Sequence, residues 1–343
     1  MKVAIDASPL KNTHSTRGIG SYTRNLISFL KKINNNLNLE EFYESKNPPE
    51  ADITHYPYFD LYFRTLPILK KQKRLVTIHD VIPLMFPNKL PVGVKGKINL
   101  KWQRLALKNT DGIICDSETS KQDIISKLGY PEEKIHVIYL AQGKNFKKIN
   151  DEYLLNKTSK KYNLPNKFVL YVGDVNWNKN LSNLLQGVKL SGANLVMVGS
   201  AVTDENLKQT KSIMAQIKSL NISSQVKRLG YVSEAELVSI YNIASSTILP
   251  SFYEGFGLPV LESMACGTPV ACSKNSSLAE IGGQRAIYCD PNDPKDIANK
   301  INQALGSKKP DLSKDLISHA AKFSWEKVAF KTYQVYEHIL KHD

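Results

Sequence analysis

Two glutamates flank the stretch whose residue types best suit the binding of a polar ligand. Glu254 and Glu262 are separated by seven residues, with Gly255 and Gly257 between them. Carboxylates accept hydrogen bonds from sugar and ribose hydroxyls. Glycines let backbone N–H groups approach a ligand at the start of a helix, where the dipole favours phosphate. The amides predicted to bind such a ligand belong to Phe256, Gly257 and Leu258.

A purely structural interpretation is the alternative for this stretch. Glu254 would then cap the helix, and Glu262 would be a solvated helix residue. That interpretation suits a lone glutamate, whereas the glycine-bracketed arrangement favours a ligand site.

Three further positions lie at or after the end of a predicted strand and carry residue types that suit ligand binding. His79 ends the buried strand LVTIH, and ligands of open α/β sheets bind at strand carboxyl ends, although a capping or core histidine is the alternative. Gly18 and Gly20 precede a helix predicted from Ser21, as in phosphate cradles, but without other evidence a structural turn explains them better. Lys179 begins a predicted helix, where a cation opposes the dipole and an anion is therefore expected.

A basic face is predicted on the helix across residues 98–108. Its cations are spaced by four, three and four residues, beside an apolar stripe that includes Trp102. These cations are Lys97, Lys101, Arg104 and Lys108. Such a face suits anionic headgroups at a membrane surface or an anionic acceptor. A solvated face above a core stripe explains the pattern equally well.

The composition is that of a folded protein with acidic partners. The 343 residues are 42% hydrophobic and 23% charged, which excludes disorder and collagen-like repeats and predicts two domains. The formal net charge is +14, of which residues 1–160 carry +10, so the first half favours an anionic partner. The four cysteines show no Cys-x-x-Cys spacing, and no apolar stretch is long enough for a membrane span, so a cytoplasmic location is expected.

Short Val- and Ile-rich runs alternate with helix-length segments, which predicts an α/β fold with parallel strands. Four strands are predicted in the first half and six in the second, whereas residues 34–50 are predicted to be a loop. The polar segment 143–167 is the predicted linker. We expect an N-terminal acceptor-binding domain over residues 1–160, joined by the terminal helix 326–343, and a nucleotide-sugar-binding domain over residues 161–325.

Several of these segments resemble the retaining glycosyltransferases of family 4. The stretch around EGFGLP is similar to the signature of that family, and IDASPL, RGIGSYTRNL, TIHDVIPLMFP and YVGDVNWNKNL agree in order. The HDVIPLMFP segment is similar to the mannosyltransferase-like subgroup of bacterial surface polysaccharide synthesis. The resemblance implies a GT-B fold, with two Rossmann-like doubly wound domains and a cleft between them.

The resemblance also implies roles for the candidate residues. Glu254 would orient the transferred sugar, Glu262 the ribose, and His79 the sugar from the opposite domain. Gly20 would touch the donor diphosphate, and Lys179 would grip it together with an arginine of the preceding loop. Residues 174–178 contain no arginine, so Lys179 with backbone amides, or a basic residue elsewhere such as Arg228, would have to suffice.

The predicted function is transfer of a hexose, with mannose from GDP-mannose favoured, to a glycan or lipid-linked acceptor at the inner membrane face. The histidines are scattered and no Asp-x-Asp motif occurs, so neither a metal nor another cofactor is expected. A non-catalytic nucleotide-sugar-binding homologue is the main alternative, and a nucleotide-sugar epimerase is another. Nucleic acid is not an expected partner, since the sequence lacks the interleaved basic and aromatic residues of the known modules.

Overall fold

The computed structural model describes residues 1–12, 15, 18–33, 36–44, 47–307 and 309–341. The chain divides into two compact units. Unit 1 contains Met1–Ala141 and the segment from Ser324 onward, and unit 2 contains Gln142–Phe323. Each unit is built on one sheet, so the α/β class predicted from the sequence is confirmed.

The sheet of unit 1 has six parallel strands in the order β2-β1-β3-β4-β5-β6. The strands are β1 (Lys2–Asp6), β2 (Asn38–Phe42), β3 (Ile53–Tyr56), β4 (Lys73–Ile78), β5 (Gly112–Cys115) and β6 (Ile135–Val137). Every residue of β3 and β5 is buried, as expected for inner strands covered on both faces.

The sheet of unit 2 also has six parallel strands, in the order β12-β11-β10-β7-β8-β9. They are β7 (Val169–Val172), β8 (Leu195–Val198), β9 (Val226–Arg228), β10 (Ser246–Leu249), β11 (Val270–Ser273) and β12 (Ile287–Cys289). The chain order reverses between β7 and β10, and ligands of doubly wound sheets bind at such a switch point.

Helices connect the strands in both units. In chain order they are α1 (Gly18–Ile33), α2 (Ile82–Met85), α3 (Val94–Lys108), α4 (Glu118–Leu128), α5 (Glu152–Tyr162), α6 (Leu181–Ser191), α7 (Lys208–Ser219), α8 (Glu234–Ile243), α9 (Leu258–Ala265), α10 (Ser276–Gly282), α11 (Pro294–Leu305), α12 (Pro310–Ala320) and α13 (Trp325–Lys341). None of the described helices is both long enough and apolar enough to span a bilayer.

Local sequence signals set the ends of these helices. The Ser117 side chain accepts a hydrogen bond from the Ser120 amide at the start of α4, and Gly129 ends α4 in the left-handed conformation. Ser233 and Glu236 form a capping box at the start of α8. Both helices therefore begin, and α4 also ends, where capping chemistry predicts.

The helix α13 belongs to unit 1, although it follows unit 2 in the chain. It packs against α1 and against the strands β4 and β5. The Tyr336 hydroxyl lies 2.7 Å from Nδ1 of the buried His55 on β3. The last helix thus completes the core of the unit formed by the first 141 residues.

The sequence prediction missed two strands of unit 1, β2 and β3. The segment predicted as a loop over residues 34–50 contains β2, although residues 34, 35, 45 and 46 lie outside the described ones. The sequence NLEEF of β2 has no β-branched residue, and Glu40 and Glu41 form ion pairs with Lys2 and Lys31 at the sheet edge. β3 carries a polar Thr54–His55 pair, whose burial depends on partners from distant segments.

All six predicted strands of unit 2 are present, five of them within two residues at each end, whereas β9 ends at Arg228, four residues before its predicted end at residue 232. The predicted domain boundary differs, because residues 142–160 lie in unit 2 rather than in the first domain. The helix α5 packs against α8, and the Lys147 carbonyl accepts a hydrogen bond from Asn242 Nδ2 at 3.0 Å. These contacts attach the polar segment to the second unit.

Two glycines allow the strand ends of β7 and β8 to approach closely. A Cβ atom on Gly199 would lie 2.1 Å from the Gly173 carbonyl oxygen, and Gly199 has a φ of +151°. Gly192, at the end of α6, has a φ of +70° but nothing within 4 Å of an added Cβ.

Alanine substitutions at Gly199 and Gly192 distinguish a steric clash with the backbone from backbone strain alone. Gly199→Ala is expected to lower the free energy of unfolding by about 3 kcal/mol, because the methyl group meets backbone. Gly192→Ala carries backbone strain alone and should lose about 1 kcal/mol. Urea unfolding followed by circular dichroism measures both, and equal losses would contradict the close approach.

Candidate functional site

A bidentate ion pair lies at the carboxyl edge of the second sheet. Lys179 Nζ lies 2.8 Å from both Oε1 and Oε2 of Glu254. Glu254 is buried, and the Lys179 side chain is 19% exposed. Lys179 follows β7 and Glu254 follows β10, which are neighbouring strands, so the pair stands at the switch point of the sheet.

Hydrogen bonds fix the loop that carries Glu254. The Ser251 hydroxyl donates to Glu254 Oε1 at 2.6 Å. The Ser277 hydroxyl lies within hydrogen-bond distance of the carbonyl oxygens of Glu254 and Phe256, at 2.9 and 2.8 Å. Asn275 Nδ2 donates to the Phe252 carbonyl at 2.8 Å. The carboxylate therefore has a defined position before any ligand binds.

The turn that carries Lys179 is held against the same loop. Residues Trp177–Lys179 form a short 3-10 turn, and α6 begins only at Leu181. Lys179 therefore ends a turn rather than beginning the helix, which corrects the sequence prediction. The Asn178 carbonyl accepts a bond from the Phe252 amide at 2.7 Å, and the Trp177 ring stacks on Phe252 with centroids 5.1 Å apart.

The start of α9 combines a strained glycine with the predicted anion-binding amides. Gly257 has a φ of +105°, and an added Cβ would lie 2.6 Å from Leu278 Cδ2. The helix follows at Leu258, whose amide has no acceptor within the helix, whereas Pro259 has no N–H and the Val260 amide donates to the Gly257 carbonyl at 2.9 Å. Phe256, next to Gly257, is buried. These three predicted residues lie directly after Glu254 on one turn of chain.

Glu262 lies on α9, in a different environment from Glu254. The Tyr241 hydroxyl of α8 donates to Glu262 Oε2 at 2.7 Å. Burial raises the pKa of Glu262 to about 7, although the hydrogen bond from Tyr241 opposes the rise. One carboxylate oxygen is thus already engaged by the protein.

The described part of unit 1 brings His79 to the carboxyl edge of its own sheet. His79 follows β4 and Asp116 follows β5, and His79 Nδ1 lies 2.7 Å from Asp116 Oδ2. Burial by itself would lower the pKa of His79, but the carboxylates of Asp116 and Asp80 raise it overall. Nε2 is buried without a hydrogen bond of good geometry among the described residues, and the Pro57 carbonyl also favours the protonated ring and raises its pKa. Asp116 therefore orients the ring through Nδ1.

A buried polar chain supports this histidine. The Tyr22 ring meets His79 edge-on with centroids 4.7 Å apart, and its hydroxyl lies 3.2 Å from Thr77 Oγ1. Thr77 Oγ1 lies 2.9 Å from His55 Nε2, and His55 Nδ1 contacts the Tyr336 hydroxyl. Burial lowers the pKa of His55 to about 3, so this imidazole is neutral and structural.

Gly18 and Gly20 lie within α1 rather than in a turn before it. The sequence prediction placed the helix start at Ser21, but α1 begins at Gly18. A Cβ on Gly18 would meet nothing within 4 Å, whereas Gly20 is buried. Both therefore belong to the first turn of the helix, where N–H groups have no acceptor within the helix.

The predicted basic face lies on α3 of unit 1. The four cations Lys97, Lys101, Arg104 and Lys108 are exposed. Trp102 is 37% exposed, and the Arg64 guanidinium stacks 4.4 Å above its ring. The structure thus places all five predicted residues on the surface of one helix.

The proposed substitute for the missing loop arginine lies elsewhere on the sheet. Arg228 ends β9, which is separated from β7 by β8, and its Nη1 donates to the Val202 carbonyl at 2.9 Å.

Among the described residues, no group of three or more His, Cys, Asp or Glu side chains could hold a metal ion.

Sequence reasoning missed several partners of the site. Asp116 follows a predicted strand, so the strand-end rule that selected His79 applied to it as well. Tyr241 carries no local signal, because its partner Glu262 lies on another helix, whereas Ser251 lies only three residues before its partner Glu254, a spacing that was visible in the sequence. Tyr22 and His55 likewise acquire their partners only in the folded unit.

Two family models match most of the chain. Residues 155–323 match the model described as glycosyl transferases group 1. Residues 15–141 match the model described as glycosyltransferase family 4. The two matched regions correspond closely to unit 2 and to the first segment of unit 1.

Curated relatives include bacterial mannosyltransferases. The chain is 29% identical over 294 residues to O-antigen chain mannosyltransferase B of Escherichia coli, covering 83% of this chain and 74% of that protein. It is 27% identical over 265 residues to O-antigen chain mannosyltransferase RfbU of Salmonella typhimurium, covering 76% and 68%. A match to the serotype-specific mannosyltransferase WbdA of Escherichia coli, at 27% identity, covers 78% of this chain but only 34% of that protein.

Solved structures share the fold. Sucrose-phosphate synthase from Thermosynechococcus elongatus superposes with a TM-score of 0.76 at 18% identity, and the match covers 100% of both chains. HepE from Anabaena, in complex with UDP-glucose, gives 0.75 at 18% identity, covering 99% of this chain and 100% of that chain. The expected GT-B class, with two Rossmann-like domains, is thereby confirmed.

The environment of Glu262 predicts a pH-dependent stability. The folded chain keeps a proton on Glu262 up to about pH 7, whereas the unfolded chain releases it near 4.5. This stabilisation is therefore present below pH 4.5 and lost as the pH rises through 7.

Relative to Glu262→Gln, the wild-type free energy of unfolding should fall by about 2 kcal/mol between these pH values. Urea unfolding at pH 4.5 and 7.5 measures this difference. The exposed Glu205→Gln serves as a control with no such change. A gap between wild type and Glu262→Gln that is the same at both pH values would contradict the raised pKa.

Proposed function

Because the chain belongs to the glycosyltransferases of group 1 and family 4, we propose that it is a retaining hexosyltransferase. It transfers a hexose from a nucleoside diphosphate sugar to a hydroxyl of a glycan or lipid-linked glycan in surface polysaccharide synthesis. The single observation that carries this proposal is the Lys179–Glu254 ion pair beside the glycine-rich start of α9.

The pair suits a nucleotide-sugar donor because its two members match different parts of that molecule. A diphosphate offers Lys179 an anionic partner in place of Glu254, and the amides of Gly257 and Leu258 at the start of α9 add donors for phosphate. The Glu254 carboxylate then becomes an acceptor for the hydroxyls of the sugar. Donor binding thus exchanges an internal ion pair for two ligand contacts.

The proposed transfer is a front-face displacement with an oxocarbenium-like transition state. The bond from the anomeric carbon to the phosphate oxygen breaks, and a bond to the acceptor oxygen forms on the same face. The departing phosphate accepts the acceptor proton. Lys179 and the amides stabilise the charge that develops on the diphosphate, so the proposed reaction is independent of metal ions.

His79 is proposed to bind a sugar hydroxyl through Nε2. Asp116 holds Nδ1 at 2.7 Å and thereby fixes the ring orientation, so Asp116 acts as a positioning residue. Tyr22 packs edge-on against the imidazole. Glu262 is proposed to meet the ribose of the nucleotide, with its Oε2 held by Tyr241.

Mannose is the proposed sugar, and GDP-mannose the proposed donor. The curated relatives named as O-antigen mannosyltransferases support this choice, at 27% to 29% identity. The proposed acceptor is correspondingly a growing surface polysaccharide.

A second candidate function rests on the loop before Lys179. Residues 174–178 contain no arginine, so one cation of the family arrangement is missing there. A non-catalytic homologue that binds nucleotide sugar and assists another transferase would show nucleotide binding without turnover.

Turnover by the wild type and by Glu254→Ala tests the transferase proposal. Release of free nucleoside diphosphate is measured from UDP, GDP and TDP sugars, with and without bacterial lipid extract. Release from GDP-mannose is expected to rise with the extract and to fall at least about a hundredfold in Glu254→Ala.

The matched control is Glu205→Ala, which removes an exposed carboxylate of the same unit and should retain full turnover. Circular dichroism and melting temperature establish that Glu254→Ala is folded. Near-wild-type turnover in Glu254→Ala would exclude its role. No turnover from any donor, together with a melting temperature raised by one of them, would identify the non-catalytic alternative.

The pH profile of turnover tests the His79–Asp116 pair. The Asp116 carboxylate favours the protonated imidazole, so Asp116→Asn is expected to lower the pKa of His79 and move the corresponding inflection to lower pH. His79→Ala should abolish this inflection and lower turnover about tenfold or more. A profile of Asp116→Asn that superposes on the wild type would argue against the positioning role.

A further inference from the structure

A cavity lined by cations and apolar side chains lies in unit 1, away from His79. Its volume is about 760 Å³, and it opens between the end of α3 and the segment that joins α4 to β6. The floor is apolar, with Leu107 and Tyr130 buried. The Tyr130 hydroxyl donates to the Thr110 carbonyl at 2.8 Å, which joins two residues of the cavity lining.

Four cations line this cavity. They are Lys101, Arg104, Lys108 and Lys134. Arg104 Nη2 donates to the Lys127 carbonyl at 2.8 Å, which fixes the guanidinium while leaving its other N–H groups. No salt bridge within the described residues involves any of the four.

The carboxylates nearest in sequence do not neutralise these cations. Asp111 pairs with Lys70 at 2.6 Å, and Glu132 pairs with Lys121 at 3.0 Å. Glu133 is exposed and does not line the cavity. The cavity therefore keeps a concentrated positive charge.

A buried hydroxyl supplies an independent indication of a ligand. Thr110 lines the cavity and is only 4% exposed. Its Oγ1 forms no hydrogen bond with the described residues. A buried polar atom without a partner is unfavourable, so an oxygen-rich ligand in the cavity would satisfy it.

The cavity lies at the opposite end of the sheet from His79. Thr110 precedes β5 and Lys134 precedes β6, whereas His79 and Asp116 follow the carboxyl ends of β4 and β5. A strand of four residues is about 13 Å long. A ligand in the cavity is therefore separate from the candidate catalytic residues.

We propose that this cavity is a binding site for a phosphate-bearing group, either a soluble phosphate or diphosphate or the headgroup of an anionic lipid. The cations bind the phosphate oxygens, and the Thr110 hydroxyl donates to one of them. The site involves only part of the basic face of α3, since Lys97 and Trp102 do not line it. It does not depend on sugar transfer.

Binding measurements distinguish the two sources of phosphate. Calorimetric titration with inorganic pyrophosphate tests the soluble ligand, and a Lys179→Met variant identifies the binding event that belongs to unit 2. Co-sedimentation with vesicles of phosphatidylglycerol and phosphatidylcholine tests the lipid, with pure phosphatidylcholine as the neutral reference. Binding in the first assay only indicates a soluble ligand, and binding in the second only indicates a bilayer.

Charge-matched variants locate the site. The double variant Lys101→Ala/Lys134→Ala is expected to weaken binding at least about tenfold. The binding measured is that of pyrophosphate in the Lys179→Met background, or that of anionic vesicles. Lys157→Ala with Lys160→Ala removes the same charge from exposed residues of unit 2, outside the cavity and off the basic face of α3, and should have a much smaller effect.

Thr110→Val removes the hydroxyl while keeping the shape of the side chain. It should weaken pyrophosphate binding without lowering the melting temperature, because Oγ1 has no described partner to lose. The proposal is overturned if neither pyrophosphate nor anionic vesicles bind. It is equally overturned if the pair at residues 101 and 134 reduces binding no more than the control pair does.

Discussion

The Lys179–Glu254 ion pair is the interaction around which the carboxyl edge of the second sheet is arranged. Each partner would be an uncompensated charge in a nearly buried position without the other, which costs several kcal/mol in proteins. The hydroxyl of Ser251 and the stacking of Trp177 on Phe252 hold the two loops at the separation that the pair requires. A ligand that replaces one member must therefore also supply a partner for the other, and a molecule with a diphosphate next to a polyol does so.

The two sheets use different means to present polar side chains at their carboxyl edges. In unit 2, Gly199 lets the backbone ends of β7 and β8 approach, and Gly257 leaves room for the Leu278 side chain at the start of α9, so loops determine the geometry. In unit 1, the chain of side chains from Tyr336 through His55 and Thr77 to Tyr22 runs beneath His79. Buried networks of this kind orient a residue rigidly only when every member is satisfied, and each of these bonds has its partner.

Much of the fold was predictable from the sequence, because inner parallel strands are buried on both faces and read as short Val- and Ile-rich runs. The edge strand β2 was not, since Glu40 and Glu41 are stabilised by ion pairs that only the folded chain forms. The glycine-bracketed glutamates were visible as a motif, whereas the partnership of Glu254 with Lys179 joins residues 75 apart in sequence. Spacing along the chain identifies residues on one turn, but not the partner that another strand brings to it.

The position of α13 has a consequence for synthesis of the chain. His55 emerges from the ribosome long before Tyr336, which lies 281 residues later, and all of unit 2 is made in between. Unit 2 is continuous, so its contacts can form as it emerges, whereas the core of unit 1 stays open until its last helix arrives. Contacts between residues so far apart in sequence have a large entropic cost of loop closure, and this cost slows folding. The unit that is translated first is therefore the one that finishes folding last, and its exposed strands are the segment most in need of protection from aggregation during translation.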